Sequence, residues 1–437
     1  MTAARPVASE SRRPTSVPAE SPVARIVAEA RRRAAEGHDV VRLDIGEPDL
    51  PTPPHIVEAG IAALRAGATR YVAPAGIPAL RAAIAEAQRP RGLDATPEQV
   101  VVTSGAKPML LYALLALVRR GDEVLLPDPG YPSYASAVRL AGGRPRRYAL
   151  ARTGARFTLD VDALRAAVTP RTRVLVLNTP QNPTGCTLDA ADRGAVAAIA
   201  EAHDLWIISD EIYAGLRYDD ASAHESVAAL PGMASRTVVV DGFSKTYAMT
   251  GWRLGYGVMP AALVAGVTAL VIDSTTCVPA FVQRAGLAAL TGPQDLVVAM
   301  RDEYRRRRDR VVQALRAMPG VSVSAPAGAF YAFADVRGLL AAANGAGAPA
   351  TSATLARRLL EEHGVACVPG AAYGGRGEGW LRLSFAAPQP RLDDGMRRLA
   401  RCAESVVGAE ETAVVARAPE SRVSRAAARR RARPSRS

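Results

Sequence analysis

Lysine is almost missing from this chain. Of 55 basic residues among 437, only Lys107 and Lys245 are lysines and the other 53 are arginines. A buried amine can lose its proton and attack a carbonyl, which a guanidinium effectively cannot. Arginine therefore serves wherever a generic positive charge is needed, and the two retained amines become candidates for carbonyl chemistry. Cysteine is scarce as well. Cys186, Cys277, Cys367 and Cys402 lie far apart, with no CxxC pair and no Cys/His cluster. That pattern excludes a zinc module and a disulfide scaffold and fits a reducing cytoplasm. Long apolar runs are missing too: the longest, 109–118 and 261–272, fall short of the ~18 residues a membrane span needs. No apolar core follows the N-terminal arginines, so the start of the chain does not read as a secretory signal.

What is present is an ordinary globular composition, 49% hydrophobic and 22% charged. A chain this long buries roughly 75% of its unfolded surface and needs no staple. The net charge of +13 is unevenly spread. Residues 412–437 hold eight arginines against one acid, and the first 25 residues hold four against two. These ends lack periodicity and read as a disordered leader over 1–20 and a disordered basic tail over 408–437, not as a nucleic-acid surface.

Between those ends, helical and strand patterns alternate. A helix over 26–36 closes at Gly37. A strand over 40–45 ends in Gly46-Glu47-Pro48-Asp49, and a helix over 56–66 stops at Gly67. Strands follow at 100–103, 123–126, 173–178, 205–209 and 237–240, separated by helices at 106–118, 134–141 and 190–202. Gly251-Trp252-Arg253 opens a further strand. Apolar strands alternating with helices indicate a mostly parallel sheet covered on both faces. After 291 the pattern changes: a helix over 302–317, strands at 321–323, 329–334 and 380–385, a helix over 355–363 and a last helix fading near Val407. The expected fold is α/β: a three-layer large domain over 51–290, plus a small α+β domain built from 21–50 and 291–407.

Ligands of open α/β sheets bind outside the carboxyl ends of the strands. Four polar groups stand at such ends here: Ser104-Gly105-Ala106-Lys107, Asn182, Asp210 with Tyr213, and Ser244-Lys245. Ser104-Gly105-Ala106 opens a helix with small residues, so free backbone N–H groups and the helix dipole favour an anion such as phosphate. Arg253 can add a bidentate contact.

This layout resembles the class I and II aminotransferases, pyridoxal-phosphate enzymes of fold type I, over residues 20–405. Asn182-Pro183-Thr184-Gly185, Asp210-Glu211-Ile212-Tyr213 and the stretch from Ser244 to Arg253 carry the resemblance, with Gly46-Glu47-Pro48-Asp49, Tyr71, Gly76, Leu80 and Arg81 adding to it. It implies that Lys245 holds the cofactor covalently and later shuttles a proton. Asp210 would pair with the pyridine nitrogen, Tyr213 and Asn182 with the ring's phenolic oxygen, and Tyr131 would stack on the ring. Gly105, Ala106, Lys107, Ser244 and Arg253 would hold the phosphate, joined by Tyr71 from a second subunit of a homodimer. Arg382 and the backbone of Gly46 would take the substrate α-carboxylate. No metal is implied.

The departures are informative. Gly242 stands where some relatives carry a hydroxyl. Lys107 matches a lysine that binds the distal carboxylate in prokaryotic aspartate aminotransferases, but Val23 stands where those enzymes place the accompanying threonine. The resemblance therefore implies a ping-pong transaminase that uses aspartate or glutamate with broad specificity. A β-lyase, cyclase or oxidase of the same fold would use the same Lys245, Asp210 and Arg382. An amino-acid-sensing regulator would need a DNA-binding domain ahead of the first helix, where only about 20 residues stand.

Overall fold

The computed structural model describes residues 22–218, 224–345 and 350–417. The expected leader over 1–20 and the tail beyond Arg417 lie outside the described residues. The strands are β1 (Val41–Arg42), β2 (Val100–Thr103), β3 (Glu123–Asp128), β4 (Arg144–Thr153), β5 (Arg156–Leu159), β6 (Thr172–Asn178), β7 (Trp206–Asp210), β8 (Thr237–Gly242), β9 (Gly255–Val258), β10 (Tyr331–Asp335), β11 (Val365–Ala366), β12 (Val368–Pro369) and β13 (Trp380–Ser384). The helices are α1 (Pro22–Ala35), α2 (Pro54–Arg65), α3 (Pro78–Gln88), α4 (Ala106–Leu117), α5 (Ser133–Leu140), α6 (Val161–Ala167), α7 (Ala190–Ala202), α8 (Ala261–Thr275), α9 (Ala280–Thr291), α10 (Asp295–Arg316), α11 (Arg337–Gly345), α12 (Ser352–His363) and α13 (Gln389–Arg417).

The main sheet has eight strands in the order β2-β9-β8-β7-β6-β3-β4-β5. From β8 to β4 every pairing is parallel; β9 and the edge strand β5 run antiparallel to their neighbours. The central strands are apolar because both faces are covered. Val174 and Val176 of β6 pack with α4, α5 and α8 through Leu110, Leu114, Val138 and Val267. Leu175 and Leu177 face the other way, onto Leu164, Val196 and Ile199 of α6 and α7. The α/β architecture with a mostly parallel sheet is thus observed.

A second core joins the two ends of the chain. The antiparallel sheet β10-β13-β12 and the parallel pair β1-β11 enclose Val41, Leu43, Tyr304, Phe330, Leu383 and Leu392. In this sheet Arg382 pairs in register with Phe333 on one side and Val368 on the other.

Several expected boundaries shift. The strand over 40–45 shrinks to two residues because Leu43 turns to bridge two partners: its N–H donates to Ala366 O and its own carbonyl accepts from Ser384 N. Residues 321–323 form only an isolated bridge, Ser322 to Asp335. Helix α10 starts at Asp295 rather than 302, since Val297 and Met300 extend the buried stripe of Tyr304, Arg307 and Val311. Helix α13 does not fade near Val407 but reaches Arg417, because 408–417 contains one glycine, no proline and mostly good helix formers.

The segment Gly46–Asp49 is tied to α10. Arg307, nearly buried, donates to both oxygens of Asp49 at 2.8 and 2.9 Å and to Glu303 at 2.8 Å, and the Tyr304 hydroxyl donates to Asp49 at 3.2 Å. Removing one partner of such a pair strands the other charge in a poorly hydrated place. Arg307→Leu is expected to lower unfolding stability by about 3 kcal/mol, measured by urea denaturation at neutral pH. A variant within about 0.5 kcal/mol of the parent, the range of ordinary surface changes, would show that the pair does not secure the segment.

Candidate active site

The carboxyl ends of the central strands lie side by side. Asn178 pairs with Asp210, and Asp210 with Val240. Strand β2 runs in the same direction as β8, since both are antiparallel to β9. The start of α4 therefore arrives at the same edge. A cavity of about 410 Å³ opens there. Gly46, Ala106, Lys107, Tyr131, Asn182, Asp210, Tyr213, Ser244, Lys245, Arg253 and Arg382 line it. Gly105 lies just behind the wall, and Tyr71 is 83% exposed outside it.

Lys245 follows the end of β8, and its Nζ donates to the Gly46 carbonyl at 2.5 Å. Burial pushes its amine down to about 8. The Glu47 carboxylate opposes that shift, and the Arg382, Arg253 and Lys107 charges add to it. Asp210, at the tip of β7, accepts from the Tyr134 hydroxyl at 2.7 Å and from Ile212 N–H at 3.3 Å. Burial lifts its carboxyl to about 6, against those two hydrogen bonds and with help from Asp241 and Glu211. Those two acids are themselves matched, Asp241 by Arg91 at 2.6 Å and Glu211 by His224 at 2.9 Å.

Tyr213 meets the Tyr331 hydroxyl at 2.8 Å, and burial lifts its phenol well above the usual range. The Tyr331 hydroxyl also stands 2.7 Å from where a Cβ on Gly46 would lie, so a side chain at 46 would require one of the two to shift. Arg382 is buried on the tyrosine faces, its guanidinium carbon 4.2 Å from the Tyr331 ring centre and 5.4 Å from that of Tyr373. It donates to Asp44 O at 2.7 Å and to Asn182 Oδ1 at 3.3 Å, while its buried Nε has no partner. Asn182 N–H donates to Asn178 Oδ1 at 2.8 Å.

At the start of α4, Gly105 takes a φ of 99°, a conformation that favours glycine. A Cβ there would stand 2.3 Å from an Arg253 nitrogen, and one on Gly255 would stand 2.4 Å from Ala106 N. This close approach corrects one expectation. Arg253 does not open a strand; it sits at φ 57° in the turn ahead of β9, donating to Thr250 O at 2.9 Å and Ser104 O at 3.3 Å. Gly242 has no room for the hydroxyl side chain of some relatives, since a Cβ would meet Gly255 Cα and Leu254 O at 2.9 Å. Lys107 is exposed on the first turn of α4, its Nζ 5.8 Å from the Tyr131 ring centre.

Sequence reasoning missed four residues. Asn178 was detectable as a polar end to an apolar strand. Tyr134 follows Tyr131 by three residues and turns inward to Asp210. Tyr331 reads as a core aromatic of β10, and nothing in the pattern separates it from one. Arg31, on α1, lines the cavity beside Val23 and Val27.

The lowered Lys245 amine has a direct consequence. Below pH 8 the group holds its proton and cannot attack; above pH 8 it is free. Capture of Lys245 in cofactor-free protein by an aldehyde probe and borohydride is expected to rise with pH about a midpoint near 8. A midpoint above 10, the ordinary lysine range, would contradict the site's electrostatics.

The chain matches the model of the family described as aminotransferase class I and II over residues 38–399. It is 39% identical to the arginine–pyruvate transaminase of Pseudomonas aeruginosa, over 87% of this chain and 94% of that one. It is 40% identical to the aspartate/prephenate aminotransferase of Cereibacter sphaeroides, over 85% and 92%. Its structure matches the aspartate aminotransferase of Thermus thermophilus with maleate at a TM-score of 0.81 and 38% identity, over 88% and 97% of the two chains.

Proposed function

The chain belongs to the class I and II aminotransferase family and is a transaminase of amino acids and 2-oxo acids, and from that premise we propose that its cavity holds pyridoxal 5'-phosphate on Lys245. The observation that carries the reading is that one cavity brings together the buried Lys245 amine, the buried Asp210 carboxyl and the anion cradle at the head of α4.

The residues present fit the group. The Gly105–Ala106 backbone at the head of α4, with Arg253 and Ser244 beside it, suits a phosphate, and the missing Cβ atoms of Gly105 and Gly255 keep that cradle open. Asp210 suits a cationic ring N–H, which would draw its raised carboxyl back down. Tyr213 and Asn182 suit a ring oxygen, and Tyr131 offers a flat face. When bound, the cofactor supplies an electrophilic aldehyde and an electron-withdrawing ring. Lys245 Nζ provides the nucleophile and, once released, takes and returns the proton at the donor's Cα. Arg382 orients the donor through its α-carboxylate, with the unpartnered Nε available to it and the Gly46 backbone alongside. The tyrosines packed on Arg382 hold the guanidinium plane and exclude water.

The same reading covers the assembly. Tyr71, 83% exposed, and the exposed Leu64 and Ile272 suit a homodimer in which Tyr71 reaches the phosphate of the partner subunit. We read 51–290 as the cofactor-binding domain and 21–50 with 291–407 as the small domain, in a cytoplasmic enzyme of amino acid metabolism with a broad donor range. No helix among the described residues is long and apolar enough to cross a membrane.

Lys245→Ala is expected to abolish turnover and the visible absorbance of the bound cofactor, whereas Lys107→Ala keeps that absorbance. Borohydride reduction and peptide mapping check this, and label on Lys107 would overturn the assignment. Arg382→Lys keeps the charge but loses the planar fork. It should cut kcat/KM for every donor roughly tenfold to a hundredfold, from about 1.5–3 kcal/mol per charged hydrogen bond, with donor ratios nearly unchanged. Normal activity on any one donor would show that Arg382 is not the clamp.

A further inference from the structure

The segment that follows β1 is laced to the turn between Lys245 and β9. Glu47 accepts from the Thr250 hydroxyl. Thr52 donates its hydroxyl to Ala248 O at 2.6 Å and accepts from Trp252 Nε1 at 3.2 Å. Thr250 also offers its carbonyl to Arg253 at 2.9 Å. Ala248 and Arg253 sit at φ 51° and 57°, a costly backbone state for a side-chain-bearing residue, and these contacts from outside help to hold the turn in it.

Glu47 and Thr250 both line the cavity with Lys245, and Glu47 directly follows the Gly46 carbonyl that the amine meets. The other charges that act on the amine are cations: Arg382 from β13, Arg253 from the turn and Lys107 from α4. The Phe330 ring, its centre 5.7 Å from Nζ, adds no charge, and the paired Tyr213 and Tyr331 hydroxyls keep their protons because burial raises both. Two further carboxylates line the cavity. Asp44 is taken by Arg42 at 2.8 and 2.9 Å, and Asp210 accepts from Tyr134 and is assigned to the ring N–H. Glu47 has only a neutral hydroxyl as partner among the described residues, so no arginine cancels its charge.

Resting on the transaminase reading, we propose that Glu47 is a positioning residue for proton transfer: aimed by Thr250, its carboxylate lets Lys245 hold the proton taken from the donor's Cα. Without Glu47 the amine faces three cations and no free anion, and becomes a weaker base. Thr250 acts through Glu47. Its hydroxyl fixes where the carboxylate points, while its carbonyl ties the same turn to Arg253.

The test is a double-variant cycle on cofactor-free, full-length protein, read as the pH midpoint of Lys245 capture by an aldehyde probe and borohydride. Glu47→Gln keeps an acceptor for Thr250 and removes the charge, so its midpoint should fall below the parent's by about half a pH unit or more. Thr250→Val keeps the charge and releases it into water, so its midpoint should fall by less. The double variant should match Glu47→Gln alone, because Thr250 then has no charge to aim. In the loaded enzyme, Glu47→Gln should lower kcat for glutamate severalfold with KM within about twofold of the parent's, a split that a merely structural loss would not give. An unchanged midpoint in Glu47→Gln, or shifts that simply add in the double variant, would overturn the proposal. Failure of the underlying reading would look different: no amino transfer from any donor in the parent, with the midpoint still dependent on Glu47.

Discussion

The contact between Lys245 and Gly46 joins the end of the eight-stranded sheet to the segment that follows β1 at a buried amine. Lys245 arrives from the end of β8 in the eight-stranded sheet, and Gly46 belongs to the segment that leads out of β1. That segment is held from several directions. Arg382 of β13 binds Asp44 O, Arg307 of α10 grips Asp49, and the Tyr331 hydroxyl of β10 fills the space that a side chain at 46 would need. A side chain at 46 would displace either the Tyr331 hydroxyl or the segment whose carbonyl the Lys245 amine meets.

The electrostatics follow from the same geometry. Burial and three neighbouring cations depress the Lys245 amine, and burial raises the Asp210 carboxyl. Both shifts move a group toward neutrality, the range in which acid–base and nucleophilic chemistry operates. They also make the cavity complementary to ligands with negative charge at one end and a cationic N–H near Asp210. The acids behind Asp210 add to its rise, although Arg91 pairs with Asp241 and also stands near Glu211.

Much of this was legible in the sequence, for reasons that differ by residue. Lys245 stood out because amines are so rare in this chain, and Asp210 because a charge at the end of a buried apolar run needs a reason. The parallel sheet followed from apolar strands alternating with helices. Tyr134, Tyr331 and Arg31 were not legible. Each reaches the cavity through tertiary approach, from a turn of α5, an edge strand of the small sheet and the helix α1, with no periodic signal to separate it from core or surface. Arg253 lines the cavity from a turn and not from the start of a strand, a difference the sequence hid because Gly255 approaches Ala106 from a segment about 150 residues away. The extent of α13 was misjudged because the arginine-rich composition beyond 412 drew attention from a stretch over 408–417 with no proline and mostly good helix formers.

The central claim is that this site moves an amino group and stops when no acceptor is present. Loaded enzyme mixed with glutamate alone, with the 2-oxo acid released counted against subunits, tests it most directly. The account predicts one equivalent per subunit and then arrest, with turnover resuming only when a second 2-oxo acid is added. Continued release beyond one equivalent without an acceptor, or release of ammonia, would contradict it.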